Sequence, residues 1–384
     1  MALKNLSLYI HFPYCVKKCL YCDFLSAPAD AAARDRYIDL LCREIALSGS
    51  EFGAVDTVFI GGGTPSLMEP AQLARMMEAV RTSYALVPDA EISMEVNPGT
   101  ADIEKLRAYR QSGINRLSIG AQSFIRKELQ RLGRIHTPEQ IRGVFLAARE
   151  AGFANINLDL MSALPGQTSE SWLYNLRQAV ELGPEHLSCY SLIIEEGTPF
   201  AAMDLAALPT EEEDREMYHL TGRFLEENGY ERYEISNYAR EGFACRHNLG
   251  YWTGHDYLGL GLGASSCIEG RRFKNTDSME EYARVLGETG QGDGGSILAG
   301  LRREEHLLSR EESMEEFMFL GLRCTEGVSE EAFRRRFGID LEGVYGDVLR
   351  RHVAQGAVRR EKGRVFLSDY GLDVASYVMA DYLF

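Results

Sequence analysis

No stretch of this 384-residue chain approaches eighteen consecutive apolar residues, so a membrane-spanning helix is excluded. Basic residues are few: 41 Lys and Arg stand against 57 Asp and Glu. The resulting net charge of −16 and pI near 5.1 argue against a general nucleic-acid-binding face. The N-terminal residues lack a long apolar run followed by a small-residue cleavage site, and no signal peptide is expected. Neither a fixed-period repeat nor a low-complexity tract occurs. Eight cysteines in a chain of this length do not form a disulfide framework. Cys42, Cys189, Cys245, Cys267 and Cys324 are scattered, and most read as small buried hydrophobes. These absences point to a soluble protein of a reducing compartment, expected in the cytoplasm. At 45% hydrophobic, the chain can bury one large core and a smaller one.

What is present is concentrated near the start. Cys15, Cys19 and Cys22 form the pattern C-x-x-x-C-x-x-C at the end of a strand-like run over 6–12. Three thiolates this close can hold three irons of a cubane cluster and leave the fourth iron without a protein ligand. A centre of that kind binds a small molecule at the open iron. Two plainer readings stand beside it: a partial zinc site completed by His11 or Asp23, or three unrelated buried thiols.

Strand-like runs recur at 55–60, 91–96, 116–120, 155–161 and 186–194, with amphipathic stretches at 34–48, 71–83, 101–112, 138–151 and 170–182 between them. Such alternation predicts an α/β fold with a parallel sheet wrapped by helices. Six units favour an open partial (β/α)6 barrel over a closed eight-unit barrel, with chemistry at the C-terminal strand ends. The core is expected over 1–290. The Gly-rich segment 287–295 reads as a surface loop or boundary. Beyond it, over 300–384, helical periodicity at 311–323, 330–336 and 341–355 precedes a hairpin of 357–360 and 364–367. That order predicts a small winged-helix-like α+β domain. Its mixed charge favours a packing or lid role over DNA binding.

The run from Tyr9 to Phe24 resembles the cluster loop of radical S-adenosylmethionine (SAM) enzymes. Within that superfamily it is similar to the oxygen-independent coproporphyrinogen III oxidase group, which contains both oxidases and haem chaperones. The resemblance implies a [4Fe-4S] cluster on Cys15, Cys19 and Cys22, with SAM beside it and a capacity to cleave SAM reductively. Gly61-Gly62-Gly63-Thr64-Pro65 follows the second strand. Its glycines let backbone approach a ligand closely, and no Lys-Ser/Thr follows to make it a phosphate loop. By resemblance, Gly62, Gly63 and Thr64 cradle the methionyl part of SAM, flanked by Tyr9 and Tyr21. Glu95 ends the third strand, Gln122 the fourth, and Arg134 follows twelve residues later. Asp159 interrupts the apolar fifth strand and needs a partner, for which a salt bridge to Arg134 is one reading. All four match SAM-contact positions of the family, and Ile193 aligns by spacing as an apolar or backbone contact. Leu164-Pro165-Gly166-Gln167-Thr168 is a further family hallmark.

Two departures separate this chain from the oxidases of that group. Their loop carries a further cysteine where this sequence has Phe24, and their N-terminal segment is longer, whereas only eight residues precede Tyr9 here. His247-Asn248-Leu249-Gly250-Tyr251-Trp252, an H-N-x-x-Y-W pattern, resembles a motif of the haem chaperones. The expectation is therefore a haem chaperone that delivers haem to acceptor haemoproteins, with coproporphyrinogen oxidation as the alternative. His247 is the expected axial haem ligand, Cys245 a second candidate, and the neighbouring aromatics would pack on the macrocycle. The implied partners are haem, its acceptors, and an electron donor such as flavodoxin or ferredoxin. A dimer promoted by cluster loading and peripheral membrane contact stay open.

Overall fold

The aliphatic runs of the sequence pair side by side as six parallel strands: β1 (Leu6–Phe12), β2 (Val55–Gly62), β3 (Leu86–Val96), β4 (Arg116–Gln122), β5 (Ile156–Ser162) and β6 (His186–Ser191). This computed structural model describes residues 5–49, 53–203, 207–287 and 294–384. Helices α1 (Ala31–Ser48), α2 (Pro70–Ser83), α3 (Ile103–Gln111), α4 (Arg126–Arg131), α5 (Pro138–Glu150) and α6 (Ser169–Leu182) fill the connections. Their starts are set locally. Asp30, Asp102, Thr137 and Thr168 each accept a backbone N–H from the first turn of the helix that follows. Thr137 with Gln140 and Thr168 with Ser171 close capping boxes.

Strand alternation divides the sheet's two faces. On β5, Ile156, Leu158 and Leu160 join the main hydrophobic core, while Asn157, Asp159 and Met161 face the barrel interior. The sheet is wider than the six expected strands. Beyond α7 (Glu211–Glu227), β7 (Glu231–Arg232) and β8 (Asn237–Ala239) extend the β6 edge antiparallel. After α8 (Arg246–Trp252), β9 (Tyr257–Leu260) pairs parallel with β1, and β10 (Ser265–Ile268), β11 (Arg271–Asn275) and β12 (Arg302–Leu307) continue outward. These added strands are short or polar, so their alternation is not visible in the sequence. The barrel is open, as a six-unit architecture requires.

Most of the expected boundary loop, 288–293, lies outside the described residues. Helices α9 (Met279–Gly287) and α10 (Gly294–Leu301) both pack on α1, and β12 belongs to the core sheet, so the second hydrophobic cluster begins only at Met314. It is built from α11 (Arg310–Gly321), β13 (Val328–Ser329), α12 (Glu330–Phe337), α13 (Leu341–Ala354) and the hairpin β14 (Val358–Glu361) and β15 (Arg364–Leu367). The short helices α14 (Asp369–Asp373) and α15 (Ala375–Ala380) follow, α15 adding Ala375 and Val378 to the cluster. Three helices with a β13–β15–β14 sheet make it winged-helix-like. Among the described residues, no helix is long and apolar enough to cross a membrane.

Leu158 is 0% exposed and Leu146 is 61% exposed. Leu158→Ala should lower the unfolding free energy by about 2–5 kcal/mol. Leu146→Ala should stay within about 0.5 kcal/mol of the parent. Urea unfolding followed by circular dichroism measures both.

Candidate functional site

The loop after β1 is folded back by a short bridge between Tyr14 and Ala27. Cys15 N–H donates to Ala27 O at 3.1 Å, and Ala27 N–H to Pro13 O at 3.0 Å. Its far side is pinned where Leu20 N–H donates to Leu132 O at 3.1 Å and Leu20 O accepts from Phe200 N–H at 3.0 Å. The loop thereby places Cys15, Cys19 and Cys22 on the wall of a cavity of about 640 Å³ inside the barrel. All three are free, partly buried thiols, and burial raises the pKa of Cys19 and Cys22. The three thiols are close enough for Cys15 and Cys19 each to act electrostatically on its neighbours in the loop. His11 does not join them. Its Nε2 lies 2.9 Å from Leu25 O and its Nδ1 3.0 Å from the Tyr9 hydroxyl, leaving no free ring nitrogen for a metal. Asp23 is exposed at the cavity wall.

The turn after β2 lies directly against this loop. Gly62 has φ +111°, and a Cβ there would come within 2.5 Å of the His11 ring. A Cβ on Gly63 would meet Tyr14 O at 2.6 Å. Only glycine fits such an approach. From this turn a chain of hydrogen bonds crosses the barrel mouth. Thr64 Oγ1 donates to Cys15 Sγ at 3.3 Å and accepts from Asn97 Nδ2 at 2.9 Å. Asn97 Oδ1 accepts from Arg134 at 2.9 Å, and Arg134 also donates to the Tyr21 hydroxyl at 2.7 Å. Burial pushes Tyr21 up to about 12, so its hydroxyl stays neutral, while Arg134 stays charged.

Deeper inside, two carboxyls face the same space. Burial, and then Asp159, push Glu95 up to about 8, and Glu95 Oε2 accepts from Gly62 N–H at 3.1 Å. Asp159 is also raised by burial, although Ser118 at 3.1 Å and Asn157 at 2.8 Å donate to it. The salt bridge from Asp159 to Arg134 does not form. Arg134 is held toward the mouth by Asn97 and Tyr21, and Asp159 is held by its neighbours on β4 and β5. Gln122 sits in the left-handed region at φ +63°, a strained conformation for its type, and accepts from the Tyr190 hydroxyl at 3.0 Å. Ile193 is 70% exposed on the cavity rim. The Nε atoms of Arg134 and Arg116 are buried without a partner. Buried donors left open in a polar cavity suit a polar ligand.

Two expected residues lie elsewhere. Tyr9 lines a separate hollow beside the loop, together with His11 and Tyr251. His247 is 1% exposed and lines neither space. Its Nδ1 lies 2.8 Å from Thr57 Oγ1, whose own proton goes to Ser7 Oγ. Nδ1 therefore carries the ring proton, and Nε2 accepts from the Tyr251 hydroxyl at 3.0 Å. Burial and Arg116 push His247 down to about 3. With its lone pair taken and no open space beside it, His247 is not presented to a haem iron here. Cys245 is also buried, its thiol against Glu91 at 3.4 Å. Cys189 and Cys324 are buried as expected, whereas Cys42 and Cys267 are only half-buried. Sequence reasoning missed Asn97, Arg116, Ser118 and Asn157 at the cavity. Each lies an even number of positions from Glu95, Gln122 or Asp159 on its own strand or just beyond its end, a signal that strand alternation offered.

Thiols after the first strand of a six-unit partial barrel, facing a polar interior, define a radical SAM protein. The Radical SAM superfamily model matches residues 9–179, and the HemN C-terminal domain model matches 308–374. The haem chaperone HemW of Bacillus subtilis is 36% identical over 98% of this chain and 99% of its own length. HemW of Escherichia coli is 42% identical over 74% of this chain and 77% of its own. The solved coproporphyrinogen III oxidase (HemN) of E. coli superposes with a TM-score of 0.85 at 25% identity, covering 99% of this chain and 90% of that one. The chain belongs to the HemW family of the radical SAM superfamily.

Glu95 binds its proton more tightly folded than unfolded. The stability from its neutral form is thus fully present below the unfolded pKa near 4.5 and is lost as pH rises through about 8. The ligand-free parent should lose on the order of a few kcal/mol between pH 5 and pH 8 that Glu95→Gln does not lose. Urea titrations across that range measure the difference.

Proposed function

We propose that this protein binds haem and hands it to acceptor proteins, and that it does so as a radical SAM protein. The observation that carries this reading is the end-to-end similarity to proteins named haem chaperones. Phe24, 62% exposed at the cavity wall where the oxidases of the group carry a further cysteine, supports the same side. The donor set fits a [4Fe-4S] cluster: the three thiols on one cavity wall would hold it, and His11, engaged at both ring nitrogens, is not a fourth ligand. When bound, such a cluster supplies a one-electron reductant and an iron open to a small ligand.

The chain's own residues supply binding, orientation and electrostatics. The Thr64 hydroxyl donates to Cys15 Sγ and so draws charge from that sulfur. Gly62 and Gly63 open the backbone toward the cavity, and Glu95, neutral near pH 7, offers both a donor and an acceptor to the hydroxyls or amine of SAM. Arg134, with Nε unpaired, offers charge to a carboxylate. Gln122 and Asp159 line the deeper part, and Ile193 the rim. Electrons would come from a small carrier such as flavodoxin or ferredoxin. The haem reading does not rest on His247, whose ring is engaged on both sides.

Protein reconstituted without oxygen should carry about four iron per chain. Cys15→Ser, Cys19→Ser or Cys22→Ser should each lose the cluster's visible absorption while the chain stays folded. Added hemin should give a Soret band, and the haem should then pass to an apo-haemoprotein. A chain that takes up no hemin, or that converts coproporphyrinogen III to protoporphyrinogen IX, would reverse the assignment.

A further inference from the structure

Helix α8 carries the H-N-x-x-Y-W residues on two faces. His247 and Tyr251, four apart, turn inward to Thr57 and Phe59 of β2. Leu249 and Trp252, three apart, turn the other way, toward α11 of the C-terminal domain. There they border a second large cavity of about 570 Å³, within the range of sites that bury small ligands. Phe317 and Leu320 of α11 form the facing wall, so the space is mainly apolar.

Polar and charged side chains line it as well, Arg232, Thr253, Glu316 and Arg336 among them. Arg323 lies over the Trp252 ring at 4.3 Å, and Trp252 Nε1 is a buried donor with no partner. Of the three acidic side chains at the cavity, Glu316 pairs with Arg272 at 3.0 Å, Glu326 pairs with Arg364 at 3.2 Å, and Glu231 is exposed at the rim. Arg336 differs from these. It is exposed at the cavity edge and, among the described residues, has no ion pair within 4 Å or hydrogen bond; its guanidinium acts on Glu316 across a longer gap, packs beside Gly254 and lies over the Phe337 ring at 5.4 Å. Cys324 is the lining side chain suited to bind iron. No His or Met lines the cavity, and the Tyr233 hydroxyl is already bonded to His186 at 2.8 Å.

We infer that haem sits in this interdomain cavity, its ring between Trp252 and Phe317, one propionate on Arg336 and Cys324 Sγ on the iron. The inference rests on the haem reading above and gives it a place on the opposite face of α8 from His247. A largely apolar slot with the exposed Arg336 at its edge matches a flat apolar ring that ends in carboxylates. Coordination replaces the S–H bond by S–Fe; the proton leaves to solvent and no electron moves. The seat also makes delivery a matter of domain contact, since one wall belongs to the core and the other to the winged-helix-like domain.

Hemin titration of the full-length protein tests this. Arg336→Gln changes an exposed side chain and should weaken hemin binding by about tenfold with an unchanged melting curve. Cys324→Ser should shift the Soret maximum and abolish the thiolate low-spin EPR signal, and Trp252→Leu should weaken binding. Parent-like affinity and spectrum in all three variants would overturn the seat while leaving haem binding intact. Absence of hemin binding by the parent protein would instead defeat the haem reading and the seat together.

Discussion

The mouth of the barrel is organised by one guanidinium. Arg134 is buried and charged, and a charge so placed must be hydrogen-bonded to persist. It bonds Asn97 and Tyr21, and Asn97 passes the constraint through Thr64 to the sulfur of Cys15. The cysteine loop, the glycine turn after β2, the end of β3 and the segment after α4 are thus tied into one frame. Loss of a neutral partner that hydrogen-bonds such a buried charge costs about 1.5–3 kcal/mol, enough to loosen the loop that holds the thiols.

Below that frame the barrel keeps an interior instead of a core. Arg116, Ser118, Gly120 and Gln122 on β4, and Asn157 and Asp159 on β5, point inward, while Leu117, Ile119, Ile156 and Leu158 between them carry the apolar packing. Packed barrels fill the corresponding positions with branched aliphatics. Here the polar lining leaves space, and burial raises the pKa of both Glu95 and Asp159 above the ordinary carboxylate value. The same burial that stabilises the strands sets the protonation of the site.

Much of this was legible in the chain. Period-two alternation and capping residues are local, and they located β1, β2 and β4 to β6 and most helix starts to within a few residues. β3 begins earlier, at Leu86, because its pairing with β2 starts before a register shift. The short strands β7 to β12 were not legible, since runs of two to six residues, several of them polar, show no pattern until a neighbour pairs with them. Asn97 and Asn157 could have been found from Glu95 and Asp159 by alternation alone. Tyr9 and His247 could not have been placed that way, because which face of a strand or helix meets a cavity depends on elements distant in the chain.

The sequence alone determined the three-thiol loop, the glycine turn that a Cβ would block, the six-unit alternation and the winged-helix-like C-terminal domain, because spacing and residue chemistry act over a few positions. Tertiary packing decided the rest. It turned Asp159 to Ser118 and Asn157 instead of Arg134, closed His247 between Thr57 and Tyr251, and opened an apolar cavity on the far face of α8. Those outcomes depend on which strands and helices become neighbours, and burial then selects the partner each polar group keeps.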